Sequence, residues 1–367
     1  MQYLQDLQQV IEINSYTKNP TGVNRVGEVF DKWFEELGFQ TELFKRETIG
    51  HHRLYKSLHI LNEKKLLLLG HIDTVFPPLK FEKFSEDSKW VYGPGVCDMK
   101  GGNIVLLEAL RELQKDKIAI RNIDILFVSD EETGSDDSKI LTAKLAKEYD
   151  YCFVYEAAGE KLEVVTGRKG VGTFFIDVVG KAAHAGNSYS DGYDANLEAS
   201  YKLQELVKLT DLEKGTTVNV GKIEGGIGAN TISPHAHLTF ELRYKALDEK
   251  ERVLSLINTI VKKSYVKGTL STLSGGIQRD VMQTSESSLK LIESIHKITK
   301  QQLTYEERGG VSDANIVSSE GVTTLDGLGP FGDGDHTVKE RALKSSFESR
   351  IELSRVLFQH FTQHFKF

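Results

Sequence analysis

The chain has 367 residues, too many for one comfortable core, and its 39% hydrophobic and 27% charged positions are ordinary for a soluble globular protein. A formal charge of −7 argues against a nucleic-acid binder, which would show clustered Lys and Arg. No segment reaches the roughly 18 to 20 apolar residues needed to span a bilayer, no secretory signal pattern opens the chain, and Cys97 and Cys152 alone make no disulfide framework, so a cytoplasmic protein is expected.

The first residues, MQYLQDLQQVIEINSYT, carry an amphipathic helical pattern. Lys65 to Gly70 (KLLLLG) is a short continuous apolar run ended by Gly, as expected of a buried parallel strand. Asn103 to Leu113 has helical spacing, and Ile123 to Ser129 (IDILFVS) and Tyr151 to Tyr155 (YCFVY) read as two more strands. Strands alternating with helices imply an α/β domain with a mostly parallel sheet flanked by helices.

Near Thr166 the texture changes. Val171 to Val179 alternates as a half-exposed strand. A helix at Asn196 to Leu209, strands at Val218 to Lys222 and His237 to Tyr244, a helix at Glu249 to Val261 and a last strand at Thr269 to Leu273 follow. This order reads as a separate α+β unit. The helix Ser287 to Gln301 and a strand around Thr323 to Leu328 resume the first domain. The expected organisation is a first domain over 1–165 and 277–367, with an α+β domain inserted at 166–276.

Ligand-type residues sit where the strands end. His71 and Asp73 (GHID) are two apart in an extended segment and face the same way, so the carboxylate can orient the imidazole. A His-x-Asp also arises by chance about once in a chain of this size. Asp98 (GPGVCDMKGG) precedes a helix and on its own is accounted for as a cap. Glu131 and Glu132 (VSDEETGS) end the second strand, where adjacent acids either surround a cation or form a solvated loop. Glu156 (VYEAAG) ends the third strand. His336 (PFGDGDHTVKE) lies in a Gly-rich loop, either mobile or held by a metal.

Their combination is what decides. Open α/β sheets bind ligands at the carboxyl ends of their strands, and here three strands and one loop deliver two His and three carboxylates to that edge, with no thiolate. That mixture suits zinc, with manganese or cobalt as alternatives, at open sites. A bridging carboxylate between two metals could hold both a nucleophile and a carbonyl. The sequence has no GxSxG elbow, GxxxxGK[ST] loop, HExxH helix or CxxC pair. His51, His52, His59, His235, His237, His296, His360 and His364 lack such a context and read as surface or packing residues.

His71-x-Asp73, Gly95-x-x-Asp98-x-Lys100-Gly101-Gly102, Glu131-Glu132 with Gly134, Glu156 and His336 resemble, in order and spacing, the co-catalytic zinc amidohydrolases. That family includes glutamate carboxypeptidases, acetylornithine deacetylases, succinyl-diaminopimelate desuccinylases and aminoacylases. The resemblance covers nearly the whole chain. YEERGGVSDANIV and GKAAHAG are most similar to glutamate carboxypeptidase.

The resemblance implies two Zn²⁺ per subunit, replaceable by Co²⁺ or Mn²⁺. Asp98 would bridge them, His71 and Glu156 would complete one site, and Glu132 and His336 the other. Asp73 would buttress His71. Glu131 would be the general base, taking a proton from a metal-bridged water and passing it to the leaving nitrogen. The Asp98–Met99 peptide would be cis. The inserted domain would serve as a lid and form a homodimer, His184 reaching the partner's active site. Asn230 and Arg243 would hold the scissile carbonyl and the substrate carboxylate, with Gly309, Gly310 and Asp313 in a loop beside that carboxylate. Taken alone, His184 is a turn residue and Arg243 an exposed strand residue. One departure stands out: the stretch LSGGIQRD has Gly275 and Gly276 where a glutamate-specific enzyme carries a basic residue, with Arg279 further on.

The expected activity is hydrolysis of an amide or peptide bond next to a free-carboxylate amino acid, on a small peptide or an N-acyl amino acid. The alternatives are an N-acyl-amino-acid deacylase of the acetylornithine or succinyl-diaminopimelate type and a non-catalytic binding protein on the same scaffold. Neither nucleic acid nor membrane is an expected partner.

Overall fold

A computed structural model describes residues 2–367. The chain forms two compact units: one runs to Gly167 and adds Thr284–Arg308 and Ser312–Phe367, the other comprises Arg168–Gln283 and Gly309–Val311.

The first unit is built on a six-stranded sheet. Its central strand, Leu66–His71, is buried along its whole length, which explains why it reads as an uninterrupted apolar run rather than an alternating one. Ile123–Val128 and Tyr151–Val154 flank it in parallel, and Thr323–Leu325 adds a parallel edge beside Tyr151–Val154. On the opposite side His52–Lys56 and Gln40–Phe44 continue the sheet antiparallel. The crossover from Leu66–His71 to Ile123–Val128 passes through the helix Lys100–Lys115, which packs against Gln2–Ile11 and Lys344–His364. Its start lies hard against neighbouring backbone. A Cβ on Gly101 would stand 2.0 Å from the Val96 carbonyl oxygen, and one on Gly102 1.8 Å from that of Tyr155. The glycine pair is thus a packing requirement.

Short antiparallel strands, Ser85–Glu86, Trp90–Tyr92, Gly332–Asp333 and Arg341–Leu343, make a small separate sheet. It pairs Arg341 with Tyr92 and Gly332 with Ala342. The hairpin that carries His336 is therefore fastened beside the chain leading to Asp98.

The second unit is a four-stranded antiparallel sheet in the order Thr217–Gly225, His235–Tyr244, Gly170–Val179, Leu270–Arg279. Phe174, Ile176 and Val178 lie opposite Phe240, Leu238 and Ala236 and form a core with residues of the helices Ala195–Val207 and Leu247–Lys262. The intervening positions, such as Thr173, Phe175 and Asp177, belong to the other face. The last strand runs to Arg279, paired with Val171, and Met282 still bonds to Arg168. This unit accordingly extends to Gln283, past the expected limit at residue 276. It also takes in Gly309–Val311, whose carbonyls at Gly309 and Gly310 accept from Arg243 and Arg168.

Candidate metal centre

Five side chains of the first unit converge at the carboxyl edge of its sheet. His71 ends the central strand, Glu132 lies in the 3₁₀ turn Glu131–Thr133 after Ile123–Val128, Glu156 follows Tyr151–Val154, Asp98 precedes the helix Lys100–Lys115, and His336 occupies the hairpin loop. His71, Asp98 and Glu132 offer ligand atoms that all lie within 4.8 Å of one another.

The two oxygens of Asp98 face different partners. Oδ1 lies 3.1 Å from His71 Nε2, which is itself 3.7 Å from Glu156 Oε1. Oδ2 lies 3.2 Å from His336 Nε2, which is 3.1 Å from Glu132 Oε2. One carboxylate thus stands between two His–Glu pairs. The Asp98–Met99 peptide is cis.

His71 is held from behind. Its Nδ1 lies 3.1 Å from the Asp73 carbonyl oxygen and 3.4 Å from Asp73 Oδ1, which assigns the proton to Nδ1 and leaves Nε2 as a ligand atom. Asp73 Oδ2 accepts from the Thr17 hydroxyl at 2.7 Å and from the Glu132 N–H at 3.3 Å. Lys100 is buried, its Nζ donates to the carbonyls of Val10 and Ile13, and burial brings its pKa down to about 7.

The electrostatics are those of a cation site. Burial, and next the charge of Asp98, pushes Glu132 and Glu156 well above the usual carboxylate range. Burial pulls His71 down, but its bonds to Asp73 and Asp98 outweigh it and leave His71 well above its ordinary value. Bonds to Asp98 and Glu132 hold His336 up to about 11. Three carboxylates this close repel one another unless positive charge lies among them. Two imidazoles and three carboxylates form a donor set that fits zinc, cobalt or manganese. The thiol of Cys97 is directed to Glu340 instead. Glu131 is half-buried in the same turn as Glu132, and its charge raises both Glu132 and Glu156.

The remaining expected residues lie in the second unit. His184 is exposed, and its Nδ1 accepts from the N–H groups of Gly186 and Asn187, both at 3.1 Å; Nε2 therefore carries the proton. The N–H of Ala185 donates to the Asn230 carbonyl at 2.9 Å, so these two segments are neighbours. Arg243 donates to Glu241 through Nε (2.7 Å) and Nη2 (3.1 Å), and to the Gly309 carbonyl through Nη1 (2.9 Å). Asp313, expected with Gly310 in the carboxylate loop, belongs to the first unit and is buried, accepting from Ser135 Oγ at 2.5 Å. It braces the turn of Glu131 and Glu132.

Several supporting residues carry no signal in the sequence. Thr17 is one. Asn103 is another, its Nδ2 donating to the His71 carbonyl at 2.7 Å. His52, read as a surface or packing residue, is buried and accepts from the Ser129 N–H at 3.2 Å, just before the acidic turn.

Residues 67–360 match the model of peptidase family M20/M25/M40. The chain belongs to that family. Carboxypeptidase G2 of Pseudomonas sp. (strain RS-16) is a relative of this M20 chain, 29% identical over 358 residues, 92% of this chain and 83% of that one. Among solved structures, aminopeptidase PepT of Bacillus cereus ATCC 10987 shares its fold with a TM-score of 0.80 at 20% identity, covering 98% of this chain and 97% of that one. The YXEP protein of Bacillus subtilis, described as a dinuclear metal-binding M20 peptidase, superposes with a TM-score of 0.72 at 12% identity over 99% and 98% of the two chains. This M20 chain is a hydrolase of the peptidase and amidohydrolase type. No helix among its described residues is long and apolar enough to cross a membrane.

Proposed function

We propose that the chain is a di-zinc hydrolase that cleaves an amide or peptide bond next to a free-carboxylate amino acid, in the manner of a carboxypeptidase. The observation that carries this reading is the division of Asp98, with Oδ1 toward His71 and Oδ2 toward His336 and, through them, toward Glu156 and Glu132. His71 and Glu156 would hold one ion, His336 and Glu132 the other, and Asp98 both; Co²⁺ or Mn²⁺ could replace zinc. Such ions, when bound, polarise a carbonyl and lower the pKa of water.

Glu131 takes a proton from the attacking water and delivers it to the amide nitrogen. The water oxygen bonds to the carbonyl carbon, the C–N bond breaks, and a carboxylic acid and an amine leave. Asp73 keeps His71 in its Nδ1–H tautomer throughout. His184 donates from Nε2 to the developing oxyanion, a role supported by the commitment of Nδ1 to two backbone N–H groups. Asn230 holds the carbonyl, and Arg243 with the Gly310 loop receives the substrate carboxylate, which a guanidinium fork matches. The working form is a cytoplasmic homodimer assembled through the second unit, His184 serving the partner's site.

Rates on dipeptides, N-acetyl and N-succinyl amino acids, with and without added Zn²⁺, test this reading by ranking kcat/KM. Metal-dependent hydrolysis confined to substrates with a free carboxylate next to the scissile amide is expected. Equal rates on carboxyl-blocked substrates refute the assignment, and a preference for one N-acyl diamino acid selects the deacylase reading instead.

A further inference from the structure

Glu340 is 1% exposed, and its own N–H closes the His336 loop by donating to the Thr337 carbonyl at 3.1 Å. Its carboxylate leaves that loop and accepts from the chain leading into the bridging aspartate: from the Gly95 N–H at 3.0 Å, and from the N–H groups of Cys97 and Asp98 at 3.1 Å each. The Cys97 thiol lies 3.5 Å from the same oxygen that receives Cys97 and Asp98. A buried carboxylate is costly unless its oxygens are satisfied, and here the satisfying donors belong to one loop. The N–H of Asp98 is among them, so the peptide plane from which that side chain springs is fixed by Glu340. The His336 imidazole, in the loop Glu340 closes, lies 3.2 Å from Asp98 Oδ2. One side chain therefore sets two loops 242 positions apart in the chain against each other, at the point where their ligand groups meet.

We propose that Glu340 is a positioning residue that fixes the separation of Asp98 and His336 and thereby the metal affinity of the centre. The proposal rests on the metal-dependent reading above. It is distinct from a contribution to folding alone, for which Asp124 supplies a comparison. Asp124 is equally buried at the start of Ile123–Val128, where it accepts from the Ser57 N–H (2.9 Å), His59 Nε2 (2.8 Å) and the Tyr149 hydroxyl (2.8 Å), with no ligand among its partners.

The test is a Co²⁺ titration followed by the visible absorption of the bound ion, on the full chain as wild type, Glu340→Gln and Asp124→Asn, with thermal unfolding of each protein before metal is added. Gln is of the same size but turns an amide NH₂ toward N–H donors. Expected are Co²⁺ binding by Glu340→Gln weakened about 10- to 100-fold with an altered spectrum, and an unchanged affinity and spectrum for Asp124→Asn even where its melting temperature falls. Wild-type affinity in Glu340→Gln, or equal weakening in both variants, overturns the proposal and leaves the metal reading standing. Absence of Co²⁺ binding by the wild type overturns both. Should Glu340→Gln not fold, Glu340→Asp, charged but one methylene too short to span the three donors, is titrated and judged by the same criteria.

Discussion

The guanidinium of Arg243 is engaged by Glu241, two positions earlier on the same strand, through paired bonds of 2.7 and 3.1 Å. Residues two apart on a strand share a face, so the pairing is built into the local sequence. It places a carboxylate of the protein on the very fork assigned to the carboxylate of a substrate. In that role Glu241 would both orient Arg243 and compete with the substrate. Glu241→Gln is expected to lower KM for free-carboxylate substrates several-fold with kcat little changed, whereas Arg243→Ala raises KM about 10-fold or more, the loss of charge-assisted bonds. Steady-state kinetics on one dipeptide and its C-terminal amide check this, and a higher KM in Glu241→Gln contradicts it.

Asp73 joins three parts of the centre: His71, the Thr17 hydroxyl and the N–H of Glu132. Asp73→Asn is expected to weaken metal binding about 10- to 100-fold by loosening the tautomer and orientation of His71. Thr17→Val should show a smaller effect of the same sign. Competition with a chromophoric chelator measures both, and unchanged affinity in Asp73→Asn would show that it does not support the ligand.

Protons and dications would compete for this cluster. His336 is held up to about 11 by Asp98 and Glu132, and Glu132 and Glu156 are raised by burial and by Asp98. For all three groups the folded chain retains protons that the unfolded chain releases, so their contribution to stability falls as pH rises, while Lys100, brought down to about 7 by burial, contributes in the opposite direction above pH 7. The His336 contribution is fully present below its unfolded value near 6.5 and fades toward about 11; the two glutamates act from about 4.5 upward. Zn²⁺ should therefore stabilise protein stripped of metal more at pH 9 than at pH 6.5 while releasing protons. Melting curves with and without EDTA test the sign; a Zn²⁺ stabilisation no larger at pH 9 than at pH 6.5 contradicts it.

A Cβ on Gly102 would stand 1.8 Å from the Tyr155 carbonyl oxygen, a fixed backbone atom next to the proposed ligand Glu156. Gly102→Ala is expected to cost about 1–3 kcal/mol, read as a lower urea midpoint. An unchanged midpoint would show that the helix and the strand end separate freely.

The elements legible in the sequence were those whose burial is uniform or strictly alternating. Leu66–His71, Ile123–Val128 and Tyr151–Val154 are covered on both faces and read as apolar runs, while Gly170–Val179 alternates with its half-exposed sheet. Gln40–Phe44 is mostly exposed, and strands such as Ser85–Glu86 and Gly332–Asp333 are too short to show a period; their positions depend on tertiary pairing. The same contrast holds at the centre. His71, Asp98, Glu132, Glu156 and His336 stand out because each is a ligand-type residue at a strand end or in a glycine-rich loop, and the fold brings them together. Thr17, Asn103 and Glu340 are ordinary polar residues in sequence. Their significance comes from partners 56, 32 and 242 positions away, which local patterning does not encode.

Glu131 is proposed to move the proton in a metal-dependent hydrolysis. Glu131→Gln leaves every proposed ligand in place, so metal content and turnover of that variant, measured on one preparation with the best substrate of the panel, isolate this role. Two metal ions per chain, as in the wild type, are expected, with kcat reduced by about 10²- to 10⁴-fold. Turnover within a few-fold of the wild type, at the same metal content, would contradict it.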